Sequence, residues 1–441
     1  MTLPHIREPR YWSLQLVSCR SWGHQTVTTS AAARASKPEP HGGLEIFASG
    51  AILSPFTRLN RMLEGIPAGH AKQIIMTAGD PKEQMPGFVV DKIKEAEKTL
   101  SSYPQIRCSE DLRQAIATWI ERRYSLKTKM DLREVHPING SREGLFFAAM
   151  PAVGRKRMQG KTPVMLIVNP FYQAYLGACY GTGCEPHFLN CTAENGYFPD
   201  LDALAKDTEL LDRVAAFYLC SPSNPQGRVA SADYVRKALA LARKHDFMLF
   251  FDECYSEIYS KEPPTGGLQV AAETPERFKN IVVFNSLSKR SNLPGLRSGL
   301  AAGDPDFLET MAEMRNLTAP QMPGIVQHAS VAVWSEEQHV SVIRQAYRAK
   351  FDLCDEMLKG KFGYYRPDGG FFLWLNMSQM GGGVDATVTL WKRVGVKVVP
   401  GAFLAQDDEN GVNPGRDFIR VALVHDLATI REALERIVSV A

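Results

Sequence analysis

Lys289 stands in the run Phe284-Asn285-Ser286-Leu287-Ser288-Lys289-Arg290, with Arg297 eight residues further on. A lysine amine attacks carbonyl carbon once it sheds its proton. The hydroxyls of Ser286 and Ser288 and the guanidinium of Arg297 are natural phosphate ligands. A molecule that is both an aldehyde and a phosphate ester uses both functions, and pyridoxal phosphate is such a molecule. Asp252 ends the apolar run Phe247-Met248-Leu249-Phe250-Phe251. Its carboxylate could keep a pyridine nitrogen protonated and strengthen the ring as an electron sink, or could cap a helix after a strand. Tyr255, three residues on, can donate a hydrogen bond to a ring hydroxyl or pack in the core. Asn224, in Ser221-Pro222-Ser223-Asn224-Pro225-Gln226-Gly227, can bond the same hydroxyl, although an Asn-Pro pair alone usually marks a turn.

Four further positions suit the same ligand or its substrate. Tyr172, in Asn169-Pro170-Phe171-Tyr172, is placed to stack on a pyridine face or to sit in the core. Ser141 and Arg142 open a helical stretch whose free amides and positive end favour a phosphate; a simple cap with a solvated arginine is the alternative. Arg420 lies in the apolar strand Phe418-Ile419-Arg420-Val421-Ala422-Leu423 and must find an anion there. A substrate carboxylate gripped by the guanidinium fork fits, as would an internal salt bridge.

These residues need a scaffold that brings them together. Four short apolar runs, Val164–Val168, Val214–Leu219, Phe247–Phe251 and Ile281–Phe284, each end in polar or turn residues, and helical stretches such as Ala232 to His245 separate most of them. Unalternating apolar runs between helices predict an α/β fold with a mostly parallel sheet covered on both faces. Ligands of such sheets bind beyond the carboxyl ends of the strands. Elsewhere the sequence predicts a short arm from Leu53 to Gly65 and a strand at Ile74-Ile75-Met76 before a turn at Gly79. Helices capped by Ser109 (core stripe Leu112, Ile116, Ile120), Ser141 and Asp426 (core face Leu427, Ile430, Leu434, Ile437) are expected, with one long helical region from Val326 to Leu358. Strands around Phe372 and Phe418–Leu423 suggest a second, smaller α+β domain. The expected division is an N-terminal extension over 1–45, an arm and part of the small domain over 46–80, a large cofactor-binding domain over 81–325 and a C-terminal small domain over 326–441.

Bulk properties narrow the partners. With 441 residues, 44% hydrophobic and 22% charged, the chain is long enough for two domains. A net charge of +3 argues against nucleic acid and anionic membranes, and no apolar run is long enough to span a bilayer. Of the eight cysteines, Cys179, Cys184 and Cys191 lie near one another without a C-x-x-C pair, so no metal is expected. Five of the eight, Cys179, Cys184, Cys220, Cys254 and Cys354, sit in or beside apolar sequence and are read as reduced core cysteines of a cytoplasmic protein. The first forty or so residues carry Arg7, Arg10, Arg20, Arg34 and Lys37 against Glu8 and Glu39. That composition suits an organellar import signal, a disordered extension or a start assigned too far upstream.

The set Tyr103-Pro104 with Leu112-Arg113, Asn224-Pro225-x-Gly227, Asp252-x-x-Tyr255, Ser286-x-Ser288-Lys289 with Arg297, and Arg420 resembles the class I and II aminotransferases of fold type I, over residues 50–441. The resemblance implies a homodimer with shared sites, in which Tyr103 reaches the neighbouring subunit's phosphate, and places Gly79 beside the substrate carboxylate. Finer features are similar to the succinyldiaminopimelate aminotransferase branch: Gly79-Asp80-Pro81-Lys82, Asn139-Gly140-Ser141-Arg142-Glu143, Asp252-Glu253-Cys254-Tyr255-Ser256-Glu257, Pro263-Pro264-x-Gly266-Gly267-Leu268 and Gly411-Val412-Asn413-Pro414-Gly415. That branch implies glutamate and 2-oxoglutarate as one substrate pair and N-succinyl-LL-2,6-diaminopimelate on the other side. A long dicarboxylate needs a second cation, for which Arg142 and Arg315 are the candidates. Three departures bear on the substrate mouth: Cys108 where the family often has Gly, Glu83-Gln84 in place of histidine-proline, and a loop reading Arg315-Asn316-Leu317-Thr318. The rivals are an aminotransferase for aspartate, aromatic or other donors, a pyridoxal phosphate-dependent C–S lyase, and a ligand-sensing regulator.

Overall fold

The computed structural model describes residues 45–48, 52–408 and 410–440; the expectations for the N-terminal extension lie outside them. Among the described residues there are twelve strands: β1 Ile74–Ile75, β2 Val135–Ile138, β3 Val164–Asn169, β4 Glu185–Asn190, β5 Val214–Cys220, β6 Met248–Asp252, β7 Ile281–Ser286, β8 Gly299–Gly303, β9 Phe372–Asn376, β10 Val396–Lys397, β11 Val399–Pro400 and β12 Phe418–Ala422. Seven of them form one sheet in the order β2-β8-β7-β6-β5-β3-β4. The four apolar runs are its centre, β3, β5, β6 and β7, and pair in parallel. Only β8 runs against its neighbours. Successive side chains of a strand face opposite sides. Because every residue of β3, β5, β6 and β7 is buried, both faces of the sheet are covered, which is why those runs do not alternate. The helix Ser141–Met158 lies against β5, β7 and β8, and helices Ala232–Lys244 and Gly267–Ala271 against β6 and β7.

A smaller antiparallel sheet, β11-β12-β9, sets Arg420 opposite Trp374 and Val399. Around it lies a second apolar cluster that includes Phe371, Ile419, Val421 and Ile437. β1 pairs in parallel with β10, so the segment leading to Gly79 belongs beside this second cluster.

Several local expectations hold. Ser109 accepts the Leu112 N–H at 3.3 Å, and Asp426 accepts the Thr429 N–H at 2.9 Å, so both cap helices as expected. Others need correction. Residues 55–63 form a helix capped by Ser54 rather than an arm. The long helical region is two helices, Gly324–Ser335 and Gln338–Leu358, because the Glu336 carboxylate takes the first amides of the second. Leu427 is 45% exposed and leaves the core face of the last helix to Ile430, Leu434 and Ile437. Ser141 is the first helical residue, not the cap; Gly140 precedes it at φ 82°. Cys108 adopts φ 60°, a conformation that suits glycine, which explains why glycine is common there in the resembling family.

Among the described residues no helix is long and apolar enough to cross a membrane. The seven described cysteines are free and buried.

Candidate active site

β5, β6 and β7 end side by side at Cys220, Asp252 and Ser286, and all three residues line one cavity of about 430 Å³. Every residue singled out from the sequence except Tyr103 and Arg315 lines it as well. The strand ends therefore converge as the sheet type requires.

One end is built for an anion. Ser141 and Arg142, at the start of the helix Ser141–Met158, meet Ser286, Ser288 and Arg297 there. Arg297 is itself at φ 54° and is fixed by donating to the carbonyls of Pro294 (2.9 Å) and Asn139 (3.1 Å). Its guanidinium lies so close to Gly140 that a Cβ there would overlap it. Replacing Gly140 with Ala should therefore cost about 1–3 kcal/mol through the positive φ and displace Arg297 as well. A fall in melting temperature with weaker binding of pyridoxal phosphate, read by fluorescence titration, would check both effects.

The opposite end holds Asp252, 4% exposed. Tyr175 donates its hydroxyl to Oδ2 at 2.7 Å, and the Cys254 N–H donates to Oδ1 at 3.1 Å. Burial raises the Asp252 pKa, and these hydrogen bonds pull it back down. Among the described residues no cation pairs with this carboxylate. It does accept an amide of its own loop, but no helix starts there, so the capping alternative is not what occupies it.

Between the two ends, Lys289 leaves the short helix Leu287–Arg290 that follows β7. Its ammonium donates to the Gly79 carbonyl and lies 5.3 Å from the Phe371 ring centre. Burial lowers its pKa to about 8, and Arg420 and Arg142 press in the same direction against the opposing charges of Cys254 and Asp80. Gly79 cannot carry a side chain, since a Cβ would sit 2.9 Å from the Phe372 ring. Tyr255 packs edge-on against Phe371 and Phe372 and also lines the cavity. The Tyr172 hydroxyl accepts from Arg142 Nε at 2.6 Å.

Arg420 is 4% exposed. It donates to Asn224 Oδ1 (3.2 Å) and to the Thr77 carbonyl (2.8 Å), with its guanidinium 4.2 Å from the Phe372 ring centre. Its Nε has no partner, and among the described residues no carboxylate pairs with it. Burial lowers its pKa to about 10. The salt-bridge alternative is thereby excluded among the described residues.

Two expectations do not land in the cavity. Tyr103 is 97% exposed and lies outside it. Arg315 is not in a loop: it sits in the helix Pro305–Thr318, 1% exposed, bound to Glu143 at 2.7 Å and to His136. Its charge is spent inside the protein, so it is withdrawn as a ligand for a second carboxylate. The sequence reading also missed Phe56, Asp80, Tyr175, Cys220, Cys254 and Phe372. Tyr175 had a signal: it lies three residues after Tyr172 on a helical stretch, hence on the same face.

The donor set fits pyridoxal phosphate. A buried carboxylate without a counter-charge suits the pyridine nitrogen, an arginine and a helix start suit the phosphate, and an amine of lowered basicity lies between them.

Comparison with known proteins agrees. A family model described as aminotransferase class I and II matches residues 71–437. The solved aminotransferase of Neisseria meningitidis superposes with a TM-score of 0.82 at 38% identity, over 88% of this chain and 97% of that one. The aminotransferase AspB of Helicobacter pylori gives 0.80 at 31%, over 88% and 98%. The LL-diaminopimelate aminotransferase of Syntrophobacter fumaroxidans is 27% identical over 388 residues, 86% of this chain and 94% of its own length. With a family model spanning most of the chain and enclosing this cavity, the protein belongs to the class I and II aminotransferases, which work with pyridoxal phosphate.

Proposed function

We propose that this aminotransferase moves an amino group between glutamate/2-oxoglutarate and N-succinyl-LL-2,6-diaminopimelate, in a biosynthetic route to diaminopimelate and lysine. The observation that carries the reading is Arg420, a buried guanidinium with an unpartnered Nε beside the reacting amine, waiting for an α-carboxylate. The curated relatives named LL-diaminopimelate aminotransferase support the diaminopimelate part of this substrate. Arg142, which lines the cavity, is the remaining candidate for a distal carboxylate. The enzyme acts as a homodimer in a cytoplasmic compartment, and the exposed Tyr103 ring reaches the partner site's phosphate.

Pyridoxal phosphate supplies an aldehyde that exchanges one amine for another and a ring that draws electrons from the substrate's Cα. The chain's residues do the rest. Arg420 docks the α-carboxylate and so orients the Cα–H bond toward Lys289. The Lys289 amine, once free, takes the proton from Cα as general base and returns it elsewhere as general acid. Asp252, which accepts from Tyr175 and the Cys254 amide, would keep the pyridine nitrogen protonated. Asn224 and Tyr255 would hold the ring hydroxyl. Ser141, Ser286, Ser288 and Arg297 would hold the phosphate, and Tyr172 would stack on the pyridine.

A glutamate-formation assay with 2-oxoglutarate tests the reading, with N-succinyl-LL-2,6-diaminopimelate, LL-diaminopimelate, aspartate and aromatic donors compared. The succinylated donor should give the highest kcat/KM. Activity confined to aspartate or aromatic donors contradicts the substrate, and product formation without any 2-oxo acid acceptor would point to a lyase.

The basicity of Lys289 gives a pH prediction. Only the neutral amine attacks an aldehyde. Because its pKa is lowered to about 8, the rate at which cofactor-free protein captures pyridoxal phosphate should climb with pH up to about 8 and level off above it. Stopped-flow absorbance over a pH series measures this; a climb continuing past pH 10 would show an unperturbed lysine.

A further inference from the structure

The segment from Met76 to Glu83 crosses the mouth of the cavity and is held at both ends. At its start, the Met76 carbonyl accepts from the Ala422 N–H at 2.9 Å and the Thr77 carbonyl from Arg420 at 2.8 Å. In its middle, the Gly79 carbonyl accepts from Lys289, and Asp80 lines the cavity. At its far end, Glu83 reaches Lys350 Nζ, with 2.5 Å between Oε1 and the ammonium. Lys350 lies on the helix Gln338–Leu358 with its side chain 1% exposed. Its ammonium also donates to the Leu423 carbonyl at 3.1 Å, three residues past Arg420, and sits 4.6 Å from the Tyr347 ring centre. Tyr347 in turn stacks on Phe371, the ring beside the Lys289 ammonium.

We propose that Lys350 is a positioning residue for the transamination: through Glu83 it locks the 77–83 segment, and with it Gly79 and Asp80, over the reacting amine. The physical reason is the cost of an orphaned charge. Glu83 is the one carboxylate in hydrogen-bonding contact with Lys350 among the described residues, and Asp426 adds only a smaller, more remote attraction. If the segment lifted away, the ammonium would stay buried with its counter-charge gone, which is far more unfavourable than breaking a surface pair. The segment is thus fixed before substrate arrives, and the unusual Glu83 found at the mouth by sequence is the piece that fixes it. Lys350 is accordingly a strut rather than a substrate ligand.

The inference rests on the reading that Lys289 and Gly79 belong to the reacting site, and the test separates the two. Hydrogen exchange of the holoenzyme reports the segment without any substrate, and glutamate with a 2-oxo acid acceptor reports catalysis. In Glu83→Gln, amides of the 77–83 segment should exchange several-fold faster. KM for glutamate should rise about tenfold with kcat within about threefold, as expected when positioning rather than chemistry is lost. The cofactor's absorbance should be unchanged. Lys350→Met should behave alike, and Lys350→Arg should restore KM. Since the Glu83 side chain is 29% exposed while that of Lys350 is 1%, the Glu83 variant folds even where Lys350→Met does not. Unchanged exchange in 77–83, or a lower melting temperature with KM unmoved, would overturn the proposal. A wild-type enzyme inert toward glutamate would instead count against the donor assignment and leave the exchange result to decide.

Discussion

Changing Lys289 to alanine should lower transamination at least about 10⁴-fold, because it removes both the group that holds the cofactor aldehyde and the base that takes the Cα proton. The bound cofactor should then show the spectrum of the free aldehyde. Folding should survive: the side chain ends in the cavity and makes one hydrogen bond, to the Gly79 carbonyl. Two measurements distinguish this outcome from mere destabilisation, the melting temperature and the absorbance of the reconstituted variant. Turnover within tenfold of the wild type would mean that another amine does the chemistry.

Changing Arg420 to methionine should have the second largest effect, and of a different kind. The buried guanidinium is fixed by Asn224 and the Thr77 carbonyl while its Nε stays unpartnered. Losing a charge-assisted two-bond grip should cost about 3 kcal/mol, a factor near 10² in kcat/KM for the amino donor. Cofactor affinity and absorbance should hardly change, since Arg420 faces the substrate and not the phosphate. Lysine at 420 should rescue little, because a point charge cannot reproduce the planar fork. Steady-state kinetics with paired cofactor titrations read the split; equal loss of cofactor binding would place Arg420 in the wrong role.

Much of this arrangement could be read from residues alone, for physical reasons that differ by element. The central strands announce themselves because burial on both faces leaves unbroken apolar runs ending in polar residues. Residues on those ends, Asp252, Ser286 and Lys289, are legible for the same reason. β2, β4 and β8 were not. β8 is Gly-Leu-Ala-Ala-Gly, with little side chain to signal a strand, and it needs glycine: at Gly303 a Cβ would meet the Ile281 carbonyl. β2 carries Pro137, which an edge strand tolerates, and β4 lies at the opposite edge, half-buried, without alternation. The cap before Ser141 was misplaced by one residue because the demand for glycine comes from Arg297, distant in sequence. Arg315 looked like a loop because Asn316 and Thr318 follow it. In the fold that stretch is the last turn of a helix, with the Thr318 hydroxyl bonded back to the Met314 carbonyl. Its partners, His136 and Glu143, are set by tertiary packing, which no local pattern reports.

Tyr175 shows the same limit at the site itself. Its hydroxyl orients the carboxylate of Asp252 across the sheet, from a helix that begins after β3. Spacing could place Tyr175 on the face of Tyr172, but only the fold could aim it at Asp252.

The central claim is that one amine at the end of β7 carries the cofactor. Borohydride reduction of the holoprotein, followed by digestion and mass spectrometry, reads it directly. The account predicts a pyridoxyl phosphate mass addition on the peptide containing Lys289 and on no other lysine; a label on a different lysine, or none at all, would contradict it.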